Sequence, residues 1–221
     1  MNINFENKET ILQSIQKVAE KIANNTILTI NDALYRIVDF EFYLYTKNNV
    51  FQDPHTYKND LQFQNNKLYL HGSGIDITVG DGENHAGILL RSVIKLGEAP
   101  ESGFMIEQYD GPQKVATELF SNLNPLDSKK LNKIDLDLVK HNQDACLYPA
   151  TKLLKTKRVG LNRKISDADN VFLDLPLRYI AIVPKFKQTI KNKEGLLDEQ
   201  VANGSLSQEE ATQILGYNKK S

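Results

Sequence analysis

One uninterrupted run of strand-forming residues constrains the fold of this chain more than any other feature. Residues 36–45 have the sequence RIVDFEFYLY, in which aromatic and β-branched side chains dominate and Gly and Pro are absent. Because side chains alternate between the two faces of a strand, one face is predicted to be apolar and to pack on a core. That face consists of Val38, Phe40, Phe42 and Leu44. The other face carries Ile37, Asp39, Glu41, Tyr43 and Tyr45.

The polar face of this strand is the first candidate for chemistry. It places the carboxylate of Glu41 beside the phenols of Tyr43 and Tyr45. A strand holds its side chains more rigidly than a loop does, which suits a general base. The alternative is a half-exposed sheet whose polar residues face water.

Composition favours a globular domain with at most a small appendage. The chain has 221 residues, of which 40% are hydrophobic and 25% charged. It contains no run of about 18 apolar residues, so no membrane span is expected. The polar start, residues 1–10, lacks the layout of a signal peptide. Cys146 is the only cysteine, which excludes an intramolecular disulfide and fits a reducing cytoplasm. A monomer is expected.

Positive charge is concentrated late in the chain. Residues 152–193 contain eleven Lys or Arg and three Asp, a net charge of +8, whereas the whole chain carries −1. Segregated positive charge is typical of proteins that bind a phosphate backbone. A solvated basic face is the alternative.

The periodicity of apolar residues predicts an α+β fold, a curved antiparallel sheet with helices around its edges. Helices are predicted over 8–24 and 113–123, and strands over 26–30, 36–45, 67–70, 75–79, 87–96 and 177–183. Two short helices, 194–201 and 207–215, should form a C-terminal helical hairpin, the second opened by a capping box. We therefore divide the chain into a main domain, 1–193, and an appendage, 194–221.

Two further residues, Arg91 and His55, are candidates for a functional site. Arg91 lies within the apolar strand 87–96, on the predicted face of Leu89 and Val93, where a charge must be paired or face a cleft. Glu41 is the natural partner, either in a site or in a purely structural ion pair. His55 lies in the polar loop 47–66 and is a candidate functional histidine, although a solvated loop histidine is the alternative.

The motifs of several common sites are missing from the sequence. The four histidines have no metal-ligand spacing, so we expect no metal. The glycines of the segment His71–Gly74 suit a tight turn better than ligand binding. Because neither a P-loop nor a dinucleotide fingerprint occurs, no nucleotide cofactor is expected.

Several segments, taken in order, resemble the alkyladenine (3-methyladenine) DNA glycosylase family of monofunctional base-excision enzymes. The resemblance covers roughly residues 10–185 and leaves out the C-terminal tail. The segments that carry it are IVDFEFY (37–43), the loop histidine His55, KLY (67–69), GILLRS (87–92), GPQKV (111–115), RVGL (158–161) and PLRY (176–179).

The resemblance implies a hydrolase of base-excision repair that flips an alkylated purine out of damaged double-stranded DNA and releases it without lyase activity. Glu41 would be the general base that activates a water, and Arg91 would hold that water or a nearby phosphate. The base would be bound by Tyr43, His55, Tyr69 and Asp76. DNA phosphates would be bound by Lys152, Lys155, Lys157, Arg158, Arg163 and Lys164.

The chain departs from the family between Leu68 and Asp76. This segment is shorter than the family's hairpin, whose tip wedges into DNA, and Asp76 stands where the family has Asn. Two alternatives therefore stay open. One is a non-catalytic nucleic-acid-binding relative that lacks the wedge, and the other is a hydrolase of small N-glycosides.

Overall fold

An antiparallel sheet of nine strands organises the fold. The computed structural model describes residues 1–97, 105–123, 134–138, 150–162, 167–184 and 186–216. The predicted α+β class, with its antiparallel sheet and C-terminal helical pair, is confirmed. Within these residues no helix is both long and apolar enough to cross a bilayer.

The helices and strands follow one another in an order close to the predicted one. The helices are α1 (Lys8–Asn25), α2 (Pro112–Ser121), α3 (Asp167–Asp174), α4 (Lys193–Ala202) and α5 (Gln208–Leu215). The strands are β1 (Thr26–Ile30), β2 (Ala33–Tyr45), β3 (Asn65–His71), β4 (Gly74–Val79), β5 (His85–Leu96), β6 (Met105–Asp110), β7 (Ile134–Leu138), β8 (Lys152–Thr156) and β9 (Arg178–Ile182). A short 3-10 helix spans Asp60–Phe63.

Strand β2 lies at the centre of the sheet. The main path of strands runs β3-β4-β5-β2-β1-β7, and β9 pairs with β2 on the side opposite β5. Because β2 has neighbours on both sides and packed layers on both faces, ten consecutive residues, 35–44, are buried. The alternative of a half-exposed sheet is therefore wrong.

The main core lies between one face of the sheet and helices α1 and α2. Helix α1 begins at a capping box formed by Asn7 and Thr10 and buries the apolar stripe that includes Ile11, Ile15 and Ile22. On β2 the stripe meets Phe40 and Phe42, among other residues of the same cluster. Burial of this amphipathic face fixes which way β2 presents its side chains.

The predicted alternation along β2 fails at one place. Ile37, not Val38, packs in the main core with Phe40 and Phe42, whereas Val38 packs in a separate cluster with Ile94. The cause is a bulge, since the register of β2 against β5 shifts between residues 37 and 39. One extra residue in a strand reverses the faces of all residues before it.

Helices α4 and α5 pack on the opposite face of the sheet, over β8 and β9. Leu197 and Leu206 share a hydrophobic cluster with Leu154, Ile180 and Ile182. The side-chain Nε2 of Gln200 in α4 also donates to the backbone oxygen of Lys155 in β8, at 3.0 Å. The helical pair thus shares a core with the sheet.

Candidate active site

Glu41 lies in the middle of β2, between Leu89 of β5 and Arg178 of β9. Its side chain is fully buried. Oε2 accepts a hydrogen bond from the Tyr43 hydroxyl at 2.7 Å, and Oε1 accepts one from the backbone N–H of Val159 at 2.9 Å. The carboxylate is therefore held in one orientation by groups from two distant parts of the chain.

Arg91 completes the surroundings of Glu41. Its Nη1 lies 3.3 Å from Glu41 Oε1, which confirms the predicted ion pair. The register of β5 shifts at this point, so that Asp39 pairs with Ser92 and Phe40 pairs with Leu90, and Arg91 is the extra residue. The predicted shared face with Val93 is wrong, because the shift places Val93 in the main core.

One donor of Arg91 is not used by the protein. Its Nε–H is buried and has no hydrogen-bond acceptor within the described ranges. The residue as a whole is 9% exposed, whereas Glu41 is 0% exposed. A polar group that reached the site from outside would meet this guanidinium and Glu41 together.

Burial is the main influence on the acidity of Glu41. It raises the pKa of the carboxyl above its ordinary value, and Arg91, the Val159 N–H and the Tyr43 hydroxyl offset part of that rise. A carboxylate with a raised pKa is a stronger base than an exposed one. The ion pair with Arg91 stabilises the charged form that a base must adopt.

A second ion pair neutralises the other carboxylate on this stretch of β2. Arg178 binds Asp39 with two hydrogen bonds, of 3.0 Å from Nε and 2.6 Å from Nη2. Such a bidentate pair fixes both side chains. In the sequence Arg178 belongs to the PLRY segment (176–179), which gives no indication of its partner Asp39.

Tyr43 is held between Glu41 and a buried cation. The guanidinium carbon of Arg158 lies 4.5 Å from the centroid of the Tyr43 ring. Arg158 also forms an ion pair with Asp53 and donates to the backbone oxygen of Phe42 at 3.1 Å. Because its side chain is 0% exposed, the predicted phosphate contact of Arg158 is wrong.

His55 belongs to the same network. Its Nδ1 lies 3.0 Å from Oδ1 of Asp53, and its Nε2 lies 3.1 Å from the backbone oxygen of Asn162. The side chain is 6% exposed, so the alternative of a solvated loop histidine is wrong. Through Asp53 and Arg158, His55 is linked to the Tyr43 ring.

Asp76 and Tyr69 lie further along the same row of the sheet. Asp76 pairs with Leu89, which pairs with Glu41, and Tyr69 pairs with Asp76 on the outer side. Two strand spacings therefore separate the backbones of Asp76 and Glu41, roughly 10 Å. The structure does not bring Asp76 or Tyr69 into direct contact with Glu41.

Asp76 has two close partners, His71 and Gln62, that were not predicted from the sequence. Oδ1 lies 2.9 Å from Nε2 of His71, and Oδ2 accepts a hydrogen bond from Nε2 of Gln62 at 3.0 Å. The rings of Tyr69 and Tyr57 lie 5.0 Å and 4.6 Å from the ring of His71. A two-residue hairpin between β3 and β4, with its alternating faces, was the signal that could have placed His71 beside Asp76.

The hairpin itself is as short as predicted. Its tip is Gly72 and Ser73, between His71 and Gly74, which pair with each other. Two large apolar side chains lie exposed beside it, namely Leu70 at 50% and Tyr57 at 52%, whose hydroxyl lies 2.7 Å from Ser73 Oγ.

The predicted phosphate-binding lysines do not form one surface. Lys152 forms an ion pair of 2.6 Å with Glu210 of α5, and Lys157 forms one of 2.7 Å with Asp174. Lys155 lies over the ring of Tyr179, which is part of the main core, and therefore on the face opposite Glu41. A shared surface with Lys155 is wrong because neighbouring strand residues point to opposite faces. Arg163 and Lys164 lie outside the described residues.

The described part of the chain contains no group of three or more His, Cys, Asp or Glu side chains arranged to hold a metal ion. Buried acids are present, and two of them, Asp39 and Asp53, are each paired with an arginine.

Comparison with known proteins adds one relative. No described protein family matches the chain. The chain is 28% identical over 215 residues to the protein named "Uncharacterized protein L759" of Acanthamoeba polyphaga mimivirus. The alignment covers 82% of this chain and 90% of the viral protein. The two chains are thus similar over most of their lengths.

Proposed function

We propose that this chain is a DNA N-glycosylase of base-excision repair that acts on alkylated purines. The observation that carries the proposal is the setting of Glu41: one buried acid on a rigid strand, backed by Arg91 and bordered by the ring of Tyr43. The order of segments that resembles the alkyladenine DNA glycosylases supports the same reaction. The proposed partner is damaged double-stranded DNA, bound by a cytoplasmic monomer.

In the proposed reaction Glu41 removes a proton from a water molecule. The water oxygen attacks the sugar C1′ while the N-glycosidic bond breaks, and the base leaves with that electron pair. The buried Nε–H of Arg91 would donate to the water or to the adjacent phosphate. No lyase step is required, because water and not an amine is the nucleophile.

Access to Glu41 is through its neighbours. Tyr43 and Arg91 are each 9% exposed, so they border the solvent side of the fully buried carboxylate. Both oxygens of Glu41 already accept hydrogen bonds, from Tyr43 and Val159. Because a carboxylate oxygen has two lone pairs, Oε2 can accept a second hydrogen bond, from the proposed water, while it keeps that of the Tyr43 hydroxyl.

The ring of Tyr43 is the proposed stacking surface for the flipped base. Arg158 lies over one face of that ring, and the base is proposed to stack on the other face. His55 and Tyr69 would complete the wall of the pocket, and Asp76 would meet the purine edge. Since Asp76 is bound by His71 and Gln62, its orientation is fixed before a base arrives.

The test is single-turnover release of 3-methyladenine or hypoxanthine from a duplex. Removal of a general base in Glu41→Gln should slow release by about 100-fold or more. The matched control is Glu107→Gln, an exposed carboxylate of β6, which should release the base at the native rate. Native-like release by Glu41→Gln would reject the assigned mechanism.

A non-catalytic DNA-binding relative is the second candidate. The complete burial of Glu41 and the short tip at Gly72 and Ser73 favour it. Salt-dependent duplex binding without base release would support this second candidate, because a steep salt dependence indicates phosphate contacts. Turnover of free nucleosides in the absence of DNA would instead indicate the small-molecule hydrolase.

A further inference from the structure

A cavity of about 530 Å³ lies between the end of β9 and the C-terminal helical pair. Its walls come from the segment that follows β9, from Lys193 at the start of α4 and from the end of α5, including Leu215. The volume falls within the range of small-molecule sites, roughly 300–1,000 Å³. The cavity lies away from Glu41. Arg178, which is opposite Glu41 in the β2–β9 ladder, is separated from the cavity residue Ile182 by about 13 Å along the strand.

The charge of this cavity has one sign. Among the described residues that line it, Lys187 and Lys193 are the charged ones, and none carries a carboxylate. Within the described part of the chain neither ammonium forms an ion pair. Burial, together with the charge of Lys187, lowers the pKa of Lys193, so the two ammonium groups are close enough to repel each other. An anion bound at this place would relieve that repulsion.

The rest of the lining is mostly apolar. Pro184, Phe186 and Ile190 contribute to it beside Ile182 and Leu215. An inorganic anion alone would leave this apolar surface unused. Two lysines beside an apolar surface therefore fit a ligand that carries both an anionic group and an apolar body.

The wall that carries Lys187 is fixed by hydrogen bonds. The side chain of Gln188, 7% exposed, accepts from the backbone N–H of Val183 and donates to the backbone oxygen of Ala181, both at 2.8 Å. Gln108 of β6 makes a similar pair of bonds with the backbone of Thr189, at 2.7 Å and 2.8 Å. A site whose walls are already ordered loses little free energy to ordering when it binds.

We propose that this cavity binds a small organic phosphate, with its phosphate on Lys187 and Lys193 and its apolar part against Phe186 and the neighbouring aliphatic side chains. This site is separate from Glu41 and does not depend on the proposed glycosylase activity. A phosphate is favoured over a carboxylate because two ammonium groups match its double charge.

The experiment is a titration of the full chain with phenyl phosphate, followed by backbone amide shifts in ¹H–¹⁵N spectra. We expect a dissociation constant of about 0.1–5 mM, given the size of the probe, with shifts at residues 186–188 and 213–216. Lys187→Gln and Lys193→Gln should each weaken binding by about 5- to 20-fold. Lys191→Gln is the matched control, because Lys191 is an exposed lysine of the same segment outside the lining, and it should bind as the native chain does.

Two further arms separate the parts of the ligand. Inorganic phosphate should bind about 10-fold or more weakly than phenyl phosphate, because it lacks the apolar body. Phe186→Ala should weaken phenyl phosphate and leave inorganic phosphate unchanged. Native affinity in both lysine variants, or equal affinity for the two probes, would overturn the proposal. Displacement of phenyl phosphate by a short undamaged duplex would also overturn it, since the lysines would then contact a DNA backbone.

Discussion

The guanidinium of Arg91 lies 3.3 Å from the Glu41 carboxylate, although neither residue is the other's partner in the β2–β5 ladder. Leu89 occupies the position opposite Glu41, and Arg91 is the residue that the ladder skips. A skipped residue is free to point where regular alternation would not allow, and bulges often reorient a side chain at a site. The irregularity of β5 is thus what brings a cation to the one buried acid of β2 that Arg178 does not bind.

The pH dependence of base release should report on Glu41. A base acts only in its ionised form, and burial raises the pKa of this carboxyl above its ordinary value. The rate should therefore rise with pH, by about 10-fold per pH unit below that pKa, and level off above it. Single-turnover release of hypoxanthine measured between about pH 4.5 and about pH 8.5 covers the range. A rate that falls as pH rises through this range would contradict the role of Glu41 as a base.

Substitution of Arg91 should move that pH profile. In Arg91→Met the cation that lowers the pKa of Glu41 is lost, so the midpoint of the rise should move to higher pH. At a pH below both midpoints, release should be slower by about 10-fold for each pH unit that separates the midpoint of Arg91→Met from the native one. Arg91→Lys is the control, because it keeps the positive charge but not the fork of donors. An unchanged midpoint in Arg91→Met would show that the ion pair does not set the basicity of Glu41.

The hydrogen bonds of Asp76 predict the effect of a substitution at Gly87. Gly87 lies beside Asp76, and a Cβ there would meet the Asp76 carboxylate and lie 2.9 Å from Nε2 of Gln62. Gly87→Ala should therefore lower the free energy of unfolding by about 1–3 kcal/mol, as overpacking does elsewhere. Gly72→Ala, where a Cβ would meet nothing within 4 Å, should change stability by less than about 0.5 kcal/mol.

Urea denaturation of the two glycine variants measures the difference. If Gly87→Ala unfolds at the same urea concentration as Gly72→Ala, then Asp76 and Gln62 can move aside at no cost. The hydrogen bonds from Gln62 and His71 would in that case not fix the position of Asp76.

The sequence was sufficient for the parts of the fold that follow from local pattern. The Glu41–Arg91 pair could be predicted because a charge buried in an apolar strand is costly unless an opposite charge lies beside it. The alternation from Phe40 to Leu44 also followed from a strand period of two. The alternation required only the residues of one strand, and the ion pair required only that each charge lie in an apolar strand.

The failures have one cause, which is that distant or irregular contacts leave no local pattern. No Gly or Pro marks the bulge at Val38. The sequence of the segment therefore could not show that Ile37, and not Val38, lies on the face of the main core. Arg158 belongs to a basic run, but its partner Asp53 lies 105 residues earlier and buries it in an ion pair. Charge counted along a sequence does not distinguish such a buried arginine from a surface lysine.

Tyr57 offers a test of how the proposed enzyme would open a duplex. It is 52% exposed beside the short hairpin tip, its ring lies 4.6 Å from the ring of His71, and large apolar side chains can insert between base steps. Tyr57→Ala should slow release of hypoxanthine from a duplex by about 10-fold and leave release from a single strand unchanged, because an unpaired base needs no unstacking. Leu70→Ala is the matched control, because Leu70 is 50% exposed but pairs with the core residue Ile75, on the face opposite Asp76, and it should release the base from both substrates at the native rate. Equal loss on single-stranded and duplex substrates would instead place Tyr57 in contact with the base itself.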